Sequence, residues 1–375
     1  MNLSRKSQRP RSFWPVLFWC CGLVMLLLGE LAVALMPDQL PWLALFGMAY
    51  PLSSIVFLIG TLGAWGVRRW KLGLIGLLVI SGLSSHYTST WGGWKVSRSQ
   101  GSEVTTLRVL TWNVRQFNRY AWIEKPHVRD SILAYLARQE ADIICLQECF
   151  LEERRQPWMS AERLKQATGL THWQEEFKLG RGQDKLFGLA VLSRFPIVAK
   201  EAIRFDNDKN NSAMSVDVVV EGDTVRVYNV HLSSIGFEKE DYEAARNVGD
   251  EQNRSRLFAR LSSAWSKRAE QAVQVQSSVE GSPYSVILAG DFNDTPISFA
   301  AERLVGVLDD AYGNCRPKGS SFLGATYTGE LPFLRIDQIW ASPEFEVHSY
   351  ETADVALSDH RPVQSVFAWD KEALR

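Results

Sequence analysis

Cysteine is scarce in this chain of 375 residues, with five in all: Cys20, Cys21, Cys145, Cys149 and Cys315. An odd count without zinc-ligand spacing excludes a disulfide-stapled scaffold and a structural zinc site as the basis of the fold. A single bridge between Cys145 and Cys149 is compatible with an oxidising compartment, but the spacing does not establish it. Charge of one sign is also not in excess, since 41 Lys and Arg face 42 Asp and Glu. With 46% apolar residues and only 14 prolines and 26 glycines, a disordered chain and a collagen-like repeat are excluded as well.

Charge is nearly missing from residues 13–94, where it is limited to Glu30, Asp38, Arg68, Arg69 and Lys71. The segment divides into three apolar stretches of about bilayer length. Transmembrane helices are therefore expected near residues 14–36, 42–67 and 72–87, the last being short. Arg5, Lys6, Arg9 and Arg11 precede the first stretch and Arg68, Arg69 and Lys71 the third, whereas the intervening loop has no basic residue. Basic flanks stay on the cytoplasmic side, so three crossings put everything after about residue 95 in the extracytoplasmic space, the periplasm of a bacterium. Seven of the 14 tryptophans fall in this quarter, many near helix ends, as expected of rings at the headgroup layer. A cleaved signal peptide ending at Ala32-Val33-Ala34 is the weaker reading, because two further apolar runs follow. Glu30 lies inside the first stretch and receives no role. The organisation expected is a basic N-terminus (1–12), a membrane anchor (13–94), a linker (95–104) and one catalytic domain (105–370).

Residues 103–375 carry 32 basic and 40 acidic residues, a net charge of −8. That sign is opposite to the footprint of a protein that holds long polyphosphate chains, so nucleic acid is disfavoured as partner. Strand-like, β-branched runs recur at 106–112, 143–146, 189–193, 214–220, 225–232, 286–289, 336–341 and 363–367. Helical periodicity covers about 127–140 and about 252–279, the second with Leu257, Phe258, Leu261, Trp265, Ala269, Ala272 and Val273 in register. Strands interleaved with few helices suggest two packed sheets with helices outside.

Polar residues stand at strand ends in five places: Thr111-Trp112-Asn113, Leu146-Gln147-Glu148, Asn229-Val230-His231, Gly290-Asp291-Phe292-Asn293 and Ser358-Asp359-His360. Each alone is an ordinary turn or cap residue. Together they supply hard oxygen ligands and two histidines, the side chains that Mg²⁺-dependent phosphoryl transfer requires.

With these motifs in order, residues 105–370 resemble the endonuclease/exonuclease/phosphatase superfamily, the fold of deoxyribonuclease I, sphingomyelinases and inositol polyphosphate phosphatases. The resemblance implies an α+β, four-layer α/β/β/α sandwich and divalent-metal-dependent hydrolysis of phosphate esters, with Mg²⁺ or Mn²⁺ as cofactor. It places Asn113, Glu148 and Asp359 at the metal site, Glu148 being the principal ligand. Asp291 matches the residue that orients or deprotonates water, and Asn293 the residue that bonds a phosphate oxygen. His360 matches the essential histidine, Asp337 the carboxylate that holds its tautomer, and His231 the second histidine of the deoxyribonuclease-like and sphingomyelinase-like branches.

The chain departs from the inositol 5-phosphatases around Asp291 and around Arg335-Ile336-Asp337-Gln338, and from abasic-site endonucleases in having His231. It looks most like the membrane-anchored bacterial members. Arg115 and Arg335 flank catalytic motifs, so each is a candidate phosphate-binding residue and equally a partner for a neighbouring carboxylate. Residues 233–253, which follow His231, are a candidate pocket-shaping loop. The expected activity is that of an anchored phosphodiesterase or phosphatase acting on a phospholipid headgroup or small phosphoester. An anchored nuclease and an inactive membrane scaffold are the rival readings.

Overall fold

The computed structural model describes residues 12–95, 105–152, 155–179, 185–236, 241, 249–319, 321–329 and 331–369. Arg5, Lys6, Arg9 and Arg11, most of the linker, and most of the loop expected after His231 lie outside those residues.

The first apolar stretch forms α1 (Phe13–Ala34), whose 22 residues rise about 33 Å. Among the described residues it is the one continuous helix long and apolar enough to cross a bilayer. The expectation of about three transmembrane helices is corrected to one clear span, because the other two stretches are each broken and bent by more than 40°. After a 3₁₀ turn at Pro41–Leu43 come α2 (Ala44–Met48) and α3 (Tyr50–Gly66), with a 62° bend at the break. Pro51, in the first turn of α3, has no N–H to bond back to the preceding turn, so the helix restarts there. The third stretch forms α4 (Trp70–Gly82) and α5 (Ser84–Trp91), bent by 73°. Gly82 with Ser81, Ser84 and Ser85 makes a poor helix interior, and α5 is rich in Ser and Thr. The helices α1 and α3 run antiparallel: Gly22 lies on the Phe57 backbone, and Gly60 on that of Trp19, with no space for a Cβ at either contact.

The remainder comprises β1 (Thr105–Asn113), α6 (Val128–Arg138), β2 (Ile143–Glu152), α7 (Ala161–Thr168), β3 (His172–Leu179), β4 (Lys185–Ser193), β5 (Ile197–Arg204), β6 (Ser212–Val220) and β7 (Asp223–His231). There follow α8 (Glu251–Glu280), β8 (Ser285–Asp291), α9 (Phe299–Glu302), β9 (Asp309–Asp310), β10 (Asp337–Ala341), β11 (Glu346–Thr352) and β12 (Val363–Trp369). Two six-stranded sheets result, ordered β11-β12-β1-β2-β4-β3 and β5-β6-β7-β8-β10-β9. Each has one parallel pair at its centre, β1 with β2 and β7 with β8.

Alternation sorts the side chains into layers. Leu107, Val109, Ile143 and Cys145 from one sheet meet Val225, Val227, Ile287 and Ile339 from the other. Leu110, Trp112, Ile144 and Leu146 face outward onto α6 and α7, while Tyr228, Val230, Val286 and Leu288 face α8 and α9. This is the expected four-layer α/β/β/α sandwich. Cys145 and Cys149 are both free and buried, in the inter-sheet core and the outer cluster respectively. The face expected on the long helix holds only from Ala264 onward, and Phe258 and Val273 are exposed. A helix of 30 residues, about 45 Å long, outruns the sheet beneath it.

Candidate active site

Along four strands the inward-facing register begins with apolar residues and ends with polar ones. In β1 it runs Val109, Thr111, Asn113, in β2 Cys145, Gln147, in β7 Val227, Asn229, His231, and in β8 Ile287, Ala289, Asp291. In β10 the order is reversed, from Asp337 to Ile339. Gln147 Nε2 donates to Thr111 Oγ1 at 2.9 Å and to Asn229 Oδ1 at 2.7 Å, so the core closes on a polar bridge between the sheets beneath the site.

Strand register builds the centre of the site. His231 pairs with Asp291 across β7 and β8, and Asp291 pairs with Asp337 across β8 and β10. Asp291 Oδ2 lies 3.6 Å from His231 Nε2 and 3.7 Å from His360 Nε2. His360 enters just before β12, and its Nδ1 donates to Asp337 Oδ2 at 2.9 Å. Asp337 is held in turn through its backbone N–H on Thr326 Oγ1 at 3.0 Å. The Trp112 indole N–H bonds the His360 carbonyl at 2.9 Å, and Tyr327 packs edge-on to the imidazole. Burial works against charge on His360, but the carboxylates of Asp337, Asp291 and Asp359 prevail and hold its pKa well above the ordinary value.

The carboxylate side of the site is built on β1 and β2. Asn113 Nδ2 donates to Asp291 Oδ2 at 3.0 Å and to Glu148 Oε1 at 3.3 Å, while its Oδ1 accepts from the Arg115 N–H. Its amide thus turns nitrogen, not oxygen, toward the carboxylates. Glu148 adopts φ +49° beside a register shift between Leu146 and Cys149, a bulge that re-aims the side chain. Ser358 Oγ ties Asp359 Oδ1 and the Asn113 carbonyl together. Asn293, at φ +52°, bonds the Leu232 carbonyl through Nδ2 and Asp291 Oδ1 through its backbone N–H. Oxygen predominates among these donors, and one buried carboxylate oxygen, Asp337 Oδ1, has no hydrogen-bond partner among the described residues. This donor chemistry fits a hard divalent cation. Asp291, Asp337 and His360 approach closely enough for their ligand atoms to lie within 4.8 Å of one another. The Nδ1 bond to Asp337 makes that trio an acid–histidine–acid chain; Glu148 and Asp359 are further carboxylates beside Asn113 that could hold an ion.

Of the two readings open for each arginine, the structure shows the carboxylate pairing for both. Arg115 is at the site, but its Nε pairs with Asp359 Oδ2 at 3.2 Å and its guanidinium lies over Trp122. Arg335 as a substrate-binding residue is corrected: it is buried, bonds both Asp310 oxygens and the Ser89 carbonyl, and stacks on Tyr312. One residue separates it from Asp337, yet its side chain runs to the anchor. Sequence reasoning missed Thr326 and Tyr327, which no pattern marks. It also missed Arg268, buried on α8, which bonds Asp294 and the Ser233 carbonyl and so ties the loops after Asp291 and His231. A cation within a core-facing helical stripe was the available signal.

Solved structures similar to this chain include proteins of Bacteroides thetaiotaomicron, Beutenbergia cavernae and Bacteroides vulgatus, each described as endonuclease/exonuclease/phosphatase. The first is 22% identical, covers 71% of this chain and 99% of its own, and has a TM-score of 0.52. The second is 21% identical over 72% and 76%, with a TM-score of 0.50, and the third 18% identical over 71% and 100%, at 0.51. At these identities the likeness concerns the fold. Among curated proteins none matches. The model of the endonuclease/exonuclease/phosphatase family matches residues 110–360, from the middle of β1 through His360, and the chain belongs to that family of phosphoester hydrolases.

Proposed function

We propose that the chain is a membrane-anchored, divalent-cation-dependent phosphoesterase that hydrolyses phosphodiester or phosphomonoester bonds by in-line attack of water, with its catalytic domain extracytoplasmic. The observation that carries the hydrolytic reading is the row His231, Asp291, Asp337, closed by His360. Asp291 accepts a hydrogen bond from the attacking water and turns its lone pair toward phosphorus. His360, kept charged by the carboxylates around it, offers a proton and positive charge at Nε2 to a phosphoryl oxygen, and His231 does so from the adjacent strand. Asn293 has one Nδ2 hydrogen beyond its bond to Leu232 for a phosphate oxygen. Glu148 and Asp359, beside Asn113, would hold a divalent cation such as Mg²⁺ or Mn²⁺, which would supply Lewis-acid neutralisation of the charge that builds on the phosphoryl group.

The anchor reading rests on α1 and on the exposed apolar faces of α3 and α4, such as Leu58, Ile59, Leu62, Leu74 and Leu78. Its direction is supported by two ends of opposite character. Arg68, Arg69 and Lys71 sit at the turn between α3 and α4, while the catalytic domain meets the other end through Gly47, His86 and Ser89. Basic flanks favour the cytoplasm, and the bent segments α2 and α5 then lie at the opposite surface.

The test uses full-length protein in lipid nanodiscs with Mg²⁺ or Mn²⁺, assayed against glycerophospholipids, sphingomyelin, phosphomonoesters and plasmid DNA, with Asp291→Ala as the blank. Metal-dependent ester cleavage that vanishes in the blank and on chelation is expected. Plasmid nicking instead would make the protein an anchored nuclease, and inertness of the folded wild type toward every class would leave the scaffold reading.

A further inference from the structure

We infer that Tyr120 and Trp122 form a stacking platform at the mouth of the active site, so that the ester cleaved is the phosphate of a cyclic alcohol whose neutral ring rests on the indole. The inference rests on the phosphoesterase reading above and names the group that carries the phosphate. Two short steps lead from the carboxylates of the site to the platform. Arg115 Nε lies 3.2 Å from Asp359 Oδ2, and the guanidinium carbon of the same residue lies 4.7 Å from the centre of the Trp122 ring. Tyr120 meets that indole edge-on, with 5.2 Å between ring centres and 61° between planes. Both rings are open to solvent, Tyr120 at 57% and Trp122 at 42% exposure.

The loop that carries the two rings is braced. Between Arg115 and Ala121, five residues (Arg115, Gln116, Phe117, Asn118 and Ala121) hold φ between +41° and +61°. Side chains other than glycine are strained there, and such strain collects at functional sites. Asn118 closes the loop on itself: its Nδ2 donates to the Ile123 carbonyl and its Oδ1 accepts from the Ile123 N–H, both at 2.9 Å. Phe117 is buried and Ile123 packs against the same apolar cluster, the one beneath α6 and α7. With both feet held in that packing, Tyr120-Ala121-Trp122 projects as a fixed tip. Large apolar rings exposed together on a loop beside a site mark a place of contact.

The chemistry of the tip selects a ring. Residues 120–122 carry no charge, and Arg119 beside them is turned away to Glu152 and the Trp158 ring, so the tip itself has no partner for an ionic group. Its open surface is flat and apolar and suits a flat group, either the C–H face of a sugar or the π-face of a nucleobase. A flexible chain laid on the same surface loses rotamer freedom without gaining a fixed orientation. A phosphate on the Asp359 side of the site then directs its alcohol past Arg115 onto Trp122. The net charge of −8 on residues 103–375 disfavours a polynucleotide that carries the same rings.

The test measures kcat and KM of full-length protein in nanodiscs with Mg²⁺ for glucose 6-phosphate, adenosine monophosphate and the acyclic glycerol phosphate, and for the methyl diester of each. The wild type is expected to favour one of the ring esters in kcat/KM, and which one tells a sugar from a nucleoside. Trp122→Ala is expected to raise KM for that ester about ten-fold while leaving kcat, the glycerol ester and the unfolding profile unchanged. Trp122→Phe should keep most of the preference, Asn118→Ala should weaken it by releasing the loop, and Trp94→Ala, at the end of the anchor, should leave it intact. Equal losses on ring and acyclic esters would overturn the platform, since Trp122 would then act only by holding Arg115. A loss seen in nanodiscs but absent in detergent would overturn it too, by making the two rings a contact with the bilayer. Equal wild-type kcat/KM for all three alcohols, or cleavage of other phosphoesters but of neither ring ester, would overturn the platform and leave the phosphoesterase reading in place. No hydrolysis of any phosphoester would overturn both.

Discussion

Asp337 meets His360 Nδ1 with one oxygen at 2.9 Å and keeps the other buried without a hydrogen-bond partner among the described residues. Only the first contact orients the imidazole, so the pair is sensitive to charge as well as shape. Asp337→Asn preserves the volume but removes the charge that holds the proton on Nδ1 and aims Nε2 at Asp291. We expect kcat to fall by about 10³- to 10⁴-fold with little change in KM or unfolding temperature, which steady-state kinetics with a soluble phosphoester and a melting curve will check. A neighbour acts through space instead. Gly290 has φ +153°, and a Cβ there would collide with the Val230 carbonyl, in the pair directly before His231 and Asp291. Gly290→Ala should therefore cost about 1–3 kcal/mol of stability and spread the row, losing activity with intact catalytic side chains. An active protein with an unchanged melting temperature would contradict the close approach. Arg335 carries the opposite lesson at this scale. Proximity to a motif located it, but which way its side chain points is set by Asp310 and Ser89, 25 and 246 residues away.

Strand β3 of one sheet and β5 of the other meet at one edge of the sandwich through Glu176, which takes Arg204 Nε at 2.8 Å and Lys200 Nζ at 3.1 Å. Burial of Glu176 opposes its charge, yet the hydrogen bonds and charges of Arg204 and Lys200 prevail and hold its pKa below the usual carboxylate range. A depressed acid contributes stability above its unfolded pKa and loses it as pH falls through the folded value. Glu176→Gln is thus expected to destabilise the protein by about 1 kcal/mol at neutral pH, the small size reflecting the exposure of Arg204. The gap to wild type should close in acid, where both side chains are neutral. Melting temperatures across pH 7 to about pH 3 measure it, and a constant gap would rule out the ion pair. These edge strands were also the illegible ones. Runs such as 143–146 or 225–232 are recognisable because they face a core with regular alternation, and their ends carry Glu148, His231 and Asp291 into one site. By contrast β3, β5 and β11 are polar and solvent-facing on at least one side, so no apolar period marks them. The breaks within the second and third apolar stretches escaped for a related reason: bilayer-length hydropathy is indifferent to Pro51 and Gly82, which decide helix continuity.

Across the whole molecule, anchor and catalytic domain are joined by contacts that sequence distance hides. His86 lies between Glu30 of α1, at 3.0 Å, and Glu302 of α9, at 3.2 Å. Ile297 enters the cluster formed by Trp19, Leu26, Val33, Tyr50 and Phe57, and Arg335 reaches the Ser89 carbonyl at 2.7 Å. The imidazole is the link between the two acids of this joint, since without it two carboxylates face one another across a half-buried gap. His86→Ala is therefore expected to loosen the docking of α9 and the adjoining segment 294–297 while leaving the sandwich folded, because His86, Glu30 and Glu302 stand outside the inter-sheet core. Hydrogen exchange by mass spectrometry of full-length protein in nanodiscs should show faster exchange in residues 295–304 and unchanged protection in β1, β7 and β8. Glu302→Gln in the His86→Ala background removes one of the opposed charges and should recover part of the protection, an effect that mere loss of packing would not produce. Uniform deprotection of the sandwich would mean that the anchor is part of the folding unit, and no change at 295–304 would mean that Ile297 and Arg335 hold the joint without His86.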